Sequence, residues 1–249
     1  MSGTECIHGF ENNLCDSCFP KATPVKPLTR ASGPSRAKRV PGTPRASSAK
    51  VPSLSDQRVY HFTHISNLES ILREGQLVAA ASIEDAILDI SSPLTRELRA
   101  AASLSTGEPV DRYVPFSLVP ESASWRELRA GATEPRWSDA ARTATPTDFV
   151  FLVSTVRALG EDAVLADGDA AAALTRFATD ETAITRMLGN LRADELTDDA
   201  EVLIHGSFAF DDVQLVGVAS DKARERVKAL LDAASFKTKV AVYPPWFIQ

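Results

Sequence analysis

Val59-Tyr60-His61-Phe62-Thr63-His64-Ile65-Ser66-Asn67-Leu68-Glu69-Ser70-Ile71-Leu72-Arg73-Glu74-Gly75 joins a β-branched, aromatic run to an amphipathic one. The first half alternates and predicts a strand over Val59–Ile65. Ser66-Asn67-Leu68-Glu69 has the spacing of a capping box, in which the Ser66 hydroxyl bonds the Glu69 amide and Glu69 reaches back. Leu68, Ile71 and Leu72 share one helical face, and Gly75 supplies a left-handed stop. Two histidines and a threonine thus stand just before a helix N-terminus, where free amide donors favour an anionic ligand. A histidine in a strand is, equally, an ordinary structural hydrogen-bonder.

Working outward, composition sets the class. The chain has 249 residues, 44% hydrophobic and 24% charged, as expected of a soluble globular protein. No apolar run approaches the ~18 residues of a membrane span. No apolar segment follows the N-terminus as a secretory signal requires, so the expectation is a cytoplasmic protein without membrane contact. The formal net charge of −6 is unevenly spread. Residues 21–55 hold eight Lys or Arg and no acid, whereas 56–249 hold 19 bases and 30 acids.

All three cysteines lie at the start. Cys6, His8, Cys15 and Cys18 read C-x-H-x6-C-x2-C, a donor set suited to one tetrahedral structural zinc. The alternatives are unrelated reduced thiols, or one disulfide with a thiol left over. Residues 1–20 are therefore expected to be a small zinc-knuckle-like module. Residues 21–55, rich in Pro, Ser and basic residues, form a disordered linker. Such an arm is a tether, or it attracts phosphate backbones without sequence preference. The folded domain is expected to span 56–249.

Further along, Ser82–Ala102 reads as helical, with Ser92-Pro93 restarting the helix. Tyr113–Ser117 reads as a short strand, and 129–146 as a long loop. Phe149–Ser154 is a continuous apolar run, hence a buried central strand. A short helix at Val156–Gly160 and a strand at Ala163–Ala166 follow. Asp167-Gly168-Asp169 is a turn that caps an Ala-rich helix reaching Phe177. Val202–Ile204 and Val213–Val218 are strands, and Asp221–Ala234 is an amphipathic helix. The last strand, Val240–Phe247, contains Pro244-Pro245 and belongs at a sheet edge.

Y-H-F-T-H-I-S-N-L-E-S-I-L-R-E-G resembles the opening motif of the DarT family, ADP-ribosyltransferases that modify bases in single-stranded DNA. V-P-F at Val114–Phe116, the D-G-D-A-A-A-A-L-T-R-F segment and A-E-V-L-I-H-G at Ala200–Gly206 resemble further segments of that family, in the same order. The resemblance covers about 58–249. It implies an α+β fold with a split, bent β core of the ADP-ribosyltransferase kind, surrounded by helices. NAD is the implied co-substrate, and His61, Phe62, Thr63 and, more weakly, Ser70 are its implied contacts. The implied catalytic residues are Glu201, with Asp198 and Asp199 adjacent, and Arg99, with Arg96 close behind. The chain departs from the family pattern at Leu118–Trp125, on the side of the site that recognises the base.

The implied activity is transfer of ADP-ribose from NAD to a nucleobase of single-stranded DNA, thymidine rather than guanosine, by a toxin paired with a macrodomain antitoxin. Two alternatives stand beside it: a non-catalytic nucleic-acid-binding protein with a degenerate NAD fold, and the same enzyme acting on RNA or protein.

Overall fold

The structure, a computed structural model, describes residues 56–83, 88–160 and 162–248. The Cys6, His8, Cys15 and Cys18 set and the 21–55 linker lie outside these residues. In chain order the strands are β1 (Arg58–His64), β2 (Gln76–Val78), β3 (Tyr113–Ser117), β4 (Phe149–Thr155), β5 (Val164–Ala166), β6 (Phe177–Ala178), β7 (Glu201–His205), β8 (Ser207–Ala209), β9 (Leu215–Val218) and β10 (Lys239–Val242). The helices are α1 (Leu68–Glu74), α2 (Pro93–Ala101), α3 (Ala123–Arg129), α4 (Asp139–Thr143), α5 (Val156–Leu159), α6 (Glu181–Ala193) and α7 (Asp221–Ala233).

Eight strands form one mixed sheet in the order β10-β9-β4-β1-β3-β7-β5-β6, and β2 pairs with β8 apart from it. The α+β expectation holds. β1 pairs with β4 along its whole length, from Arg58↔Thr155 to His64↔Phe149. With β3 it shares a single pair, Tyr60↔Ser117. The sheet therefore opens between β1 and β3 beyond that point.

β4 is buried on both faces, which explains its unbroken apolar run. One face packs Val150, Leu152, Val202, Ile204 and Val216 against Leu68 and Leu72 of α1, Leu188 of α6 and Val227 of α7. The other packs Tyr60, Phe149 and Phe151 against Trp125 of α3 and Phe247. Each such side chain, fully buried, contributes about 1.5–3 kcal/mol before conformational entropy is subtracted.

Five local expectations are corrected. The capping box does not form: Ile65–Asn67 make a 3₁₀ turn, capped by the His64 ring accepting from the Ser66 amide, and α1 starts only at Leu68. The Asn67 side chain turns away and exchanges hydrogen bonds with the backbone of Leu88 at 2.8 and 2.9 Å. Gly75 does end α1 in the left-handed conformation, at φ 69°.

Of the long helix expected over Ser82–Ala102, only Pro93–Ala101 is helical within the described residues, started by the Ser92 cap. The loop expected at 129–146 contains α4, capped by Ser138.

The Ala-rich helix expected before Phe177 is instead a series of turns ending in β6. Asp169 closes them locally, its carboxylate accepting from the Ala171 amide at 2.9 Å and its carbonyl from the Thr175 hydroxyl at 2.6 Å. Five or six good helix formers do not repay helix nucleation when no face can be buried, and Leu174 is 93% exposed. α6, to which the sequence reading assigned nothing, begins at an Asp180 cap. β10 is an edge strand as expected, but it stops at Val242, before the prolines.

Candidate active site

Glu201 opens β7, between β3 and β5, directly opposite Ser117 on one side and Ala166 on the other. A glutamate at a strand start is ordinarily a surface residue; here neighbours on both sides place it within the sheet. Arg99 reaches it from the last turn of α2.

That helix is held at its N-terminus. The Ser92 hydroxyl accepts from the Thr95 amide, while the Ser92 amide and the Thr95 hydroxyl both donate to the Arg136 carbonyl at 2.9 and 2.8 Å. α2 buries none of its own residues, and Leu94 and Leu98 stand about half exposed. It is held further by the Arg96–Asp89 pair, by the carbonyl of its C-cap residue Ala102, which accepts from the Val110 amide at 2.9 Å, and by Arg99.

Arg99 Nη1 donates to both Glu201 oxygens at 3.3 and 3.2 Å, and Nη2 donates to Oε2 at 3.2 Å. The two side chains are only 15% and 21% exposed. Burial pushes the Glu201 carboxyl above its ordinary range; Arg99 opposes this, and the neighbouring Asp169 carboxylate adds to it. A pair of this kind holds a charge ready in a poorly hydrated place, where it acts strongly on charge developing nearby.

His61 lies on β1 where the sheet opens. Its Nδ1 bonds the Pro115 carbonyl at 2.8 Å across the gap, and its ring packs against Phe116. A carbonyl only accepts, so Nδ1 carries the hydrogen. Burial pushes the His61 pKa down, which leaves the ring neutral and Nε2 as an acceptor.

Thr63 is buried, and its hydroxyl accepts from Asn67 at 3.2 Å. Ser70 donates to the Asn67 carbonyl at 2.9 Å. Phe62 belongs to the aromatic cluster, 5.2 Å from Trp125 and 6.2 Å from Phe151. Pairing puts Tyr60, Ser117, Glu201 and Ala166 in one row, hence on one face. By alternation His61 and Thr63 belong to the opposite face, and no hydrogen bond or ion pair among the described residues links them to Glu201. The structure thus joins Arg99 and Glu201 directly and leaves the H-F-T segment at the opening between β1 and β3.

Arg96 pairs with Asp89 instead of Glu201. Asp198 is committed elsewhere: its carboxylate binds Arg126 of α3 at 2.6 Å, which holds its pKa down, and its carbonyl accepts from the Ala123 amide.

The divergent segment 118–125 runs into α3. Trp125 is fully buried and donates to the Trp246 carbonyl at 2.6 Å; Glu121 holds Arg129 at 2.8 and 3.0 Å. These residues are spent on packing the C-terminal segment.

Two charged neighbours were missed. Asp169 lies 3.9 Å from Arg99, and Arg136 lies 3.9 Å from Asp169 and 3.1 Å from Glu127. Asp169 was visible in sequence only as a cap, and Arg136 lay in a stretch read as loop. Among the described residues no cluster of three His, Cys, Asp or Glu side chains suits a metal ion.

A family model described as "ssDNA thymidine ADP-ribosyltransferase, DarT" matches residues 60–248. A relative from Thermus sp. (strain 2.9), a DNA ADP-ribosyl transferase, is 36% identical over 78 residues, which are 30% of this chain and 37% of that protein. The alignment thus spans about a third of the relative's length.

Thermus sp. 2.9 DarT in complex with ADP-ribosylated ssDNA superposes with a TM-score of 0.66 at 24% identity, covering 77% of this chain and 96% of the other. The same protein with NAD+ gives 0.64 at 23%, covering 79% and 99%. These two likenesses establish a common fold. With a sheet that opens beside His61, an arginine–glutamate pair at the start of β7 and a family match over most of its length, the chain belongs to the DarT family.

Proposed function

We propose that this chain is an NAD-dependent ADP-ribosyltransferase that modifies a base of single-stranded DNA, thymidine in preference to guanosine. The observation that carries the proposal is the buried Arg99–Glu201 pair, two residues 102 positions apart that the family resemblance assigned to catalysis.

Breaking the bond between ribose and nicotinamide builds positive charge on the ribose, as in glycoside hydrolysis. The Glu201 carboxylate stabilises that charge and accepts from the ribose 2′-hydroxyl. Arg99 keeps Glu201 oriented and ionised and presents its remaining donors to phosphate or to the base.

His61 Nε2 is a neutral acceptor at the opening of the sheet, suited to a hydroxyl of the adenosine half of NAD. Thr63 and Ser70 shape that opening through Asn67, and Phe62 supports it from the aromatic cluster. His61 and Glu201 each offer an acceptor to a hydroxyl of such a substrate; the chemistry needs no metal from them.

The remaining assignments follow from sequence. Cys6, His8, Cys15 and Cys18 bind a structural zinc, and 21–55 is a basic arm that adds phosphate contacts to an acidic catalytic body. A macrodomain antitoxin is the expected partner of a toxin with this activity. An acceptor in RNA or protein is the second reading. It is favoured by one observation: in the divergent segment Leu118, Ser122 and Trp125 are buried, and Glu121 is paired with Arg129.

The test is incubation of purified protein with NAD and a mixed single-stranded oligonucleotide, followed by mass spectrometry. A gain of one ADP-ribose on DNA, with release of nicotinamide, is expected. NAD consumption with label on RNA or protein alone would move the reading to the second acceptor. No NAD consumption would leave the non-catalytic alternative.

A further inference from the structure

We propose that Asp169 is the base that receives the proton displaced from the target nucleobase, an inference that rests on the transfer reaction proposed above. A ring nitrogen bearing hydrogen must lose it as it bonds to the ribose. Arg99 cannot take that proton, because a guanidinium has no acceptor site and stays protonated in proteins. Glu201 is committed, both its oxygens accepting from Arg99.

Asp169 stands beside that pair. Its Oδ1 is 3.9 Å from Arg99 Nη1, and its Oδ2 is 3.9 Å from Arg136 Nη1. Local bonds fix its position: Oδ1 accepts from the Ala171 amide at 2.9 Å, and the Asp169 carbonyl accepts from the Ala172 amide at 2.9 Å and the Thr175 hydroxyl at 2.6 Å. Oδ2 makes no hydrogen bond among the described residues, and the side chain is 46% exposed. One oxygen is anchored and the other is open to an incoming donor. A residue acting only as a turn cap needs Oδ1 alone; the approach to two arginines goes beyond that role.

The step balances. The ring N–H proton passes to Oδ2 of Asp169, and the electron pair left on nitrogen forms the bond to C1 of the ribose. The bond from that carbon to nicotinamide breaks, and its electron pair neutralises the pyridinium nitrogen. Neutral nicotinamide leaves, and protonated Asp169 returns its proton to water. Arg99 and Arg136 flank the site at 3.9 Å each and offer donors to a nearby phosphate.

The test is the partition of NAD turnover between two acceptors. Full-length protein is given NAD and an oligonucleotide that wild type labels, and both labelled DNA and free ADP-ribose are quantified. Water attack needs no proton transfer from a base ring, so Asp169→Asn lowers the ratio of labelled DNA to ADP-ribose by about a hundredfold or more. Asp169→Glu keeps a carboxylate and a ratio closer to wild type. Oligonucleotide affinity of Asp169→Asn, read by fluorescence anisotropy without NAD, stays level or tightens, since a negative charge has left a phosphate-binding surface. An unchanged ratio, or parallel loss of both products in both variants, makes Asp169 a scaffold residue and overturns the proposal alone. Wild-type protein that labels no DNA removes the underlying reading with it.

Discussion

In the reaction proposed above Glu201 acts as a carboxylate, whereas burial favours its neutral acid, and that conflict is measurable in two ways. Glu201→Gln keeps size and most hydrogen bonding but removes the charge that opposes developing positive charge on the ribose. NAD-dependent DNA labelling should fall roughly a hundred- to a thousandfold, a few kcal/mol of lost transition-state stabilisation. Asp198→Asn and Asp199→Asn should label near the wild-type rate; equal rates for wild type and Glu201→Gln would show the carboxylate assignment to be wrong.

The same substitution should raise stability at neutral pH. The native carboxyl holds its proton to higher pH than the unfolded one, whose ordinary value is 4.5. Native protein therefore binds more protons over the window above 4.5, and stability falls as pH rises through it. Glu201→Gln escapes that loss, so its advantage in melting temperature should vanish below about pH 4.5.

His61 has the opposite sign. Its native pKa is depressed from 6.5, so unfolded protein takes the proton first and stability is lost as pH falls below 6.5. Urea unfolding between pH 5 and 7 should show a shallower dependence in His61→Asn, with a remainder from His64, whose pKa burial also lowers. Losing the Nε2 acceptor should weaken NAD binding about two- to tenfold in calorimetry.

The elements show what a single sequence discloses. β1 and β4 were legible because β-branched and aromatic runs admit few other structures, and the Ser92 cap with Pro93 correctly placed the start of α2. The Ala-rich turn at 170–176 was misread because helix propensity was the only signal and burial was missing. α6 escaped notice although Ile184, Leu188 and Leu191 follow helical spacing and Asp180 caps it, since Thr182, Thr185, Gly189 and Asn190 dilute the pattern. Arg99 and Glu201 were singled out only through family resemblance, and their contact was not foreseen, as no local rule joins residues so distant.

Sequence was silent, too, on how the C-terminal segment seals the second core face. There Gly217 of β9 lets the Trp246 ring lie on the sheet: a Cβ at 217 would meet that ring at 2.5 Å. Gly217→Ala should therefore cost about 1–3 kcal/mol as an overpacked site, read from the urea midpoint. A neutral result would mean that Trp246 yields freely.

At the scale of the whole molecule, charge is segregated. The 56–249 region is net acidic and 21–55 is wholly basic, so a protein lacking 21–55 should bind single-stranded DNA more weakly and with a flatter salt dependence. Unchanged affinity and slope across a salt series would make the arm a tether. Elemental analysis of reduced protein should find one zinc per chain, and its absence would leave Cys6, Cys15 and Cys18 as free or disulfide-bonded thiols. Among the described residues no helix is long and apolar enough to cross a membrane.

The strand order carries a consequence for how the protein comes into being. β1, near the start of the described chain, lies in the middle of the sheet between β3 and β4, and β4 in turn needs β9. A nascent chain leaving the ribosome cannot seat its first strand until residue 149 and beyond have emerged, and cannot assemble the Arg99–Glu201 pair until after residue 201. Closing such distant contacts is slow, on the order of milliseconds to seconds. A product that ends before residue 201 therefore lacks the Arg99–Glu201 pair altogether, and a complete chain acquires it only after synthesis has passed that point.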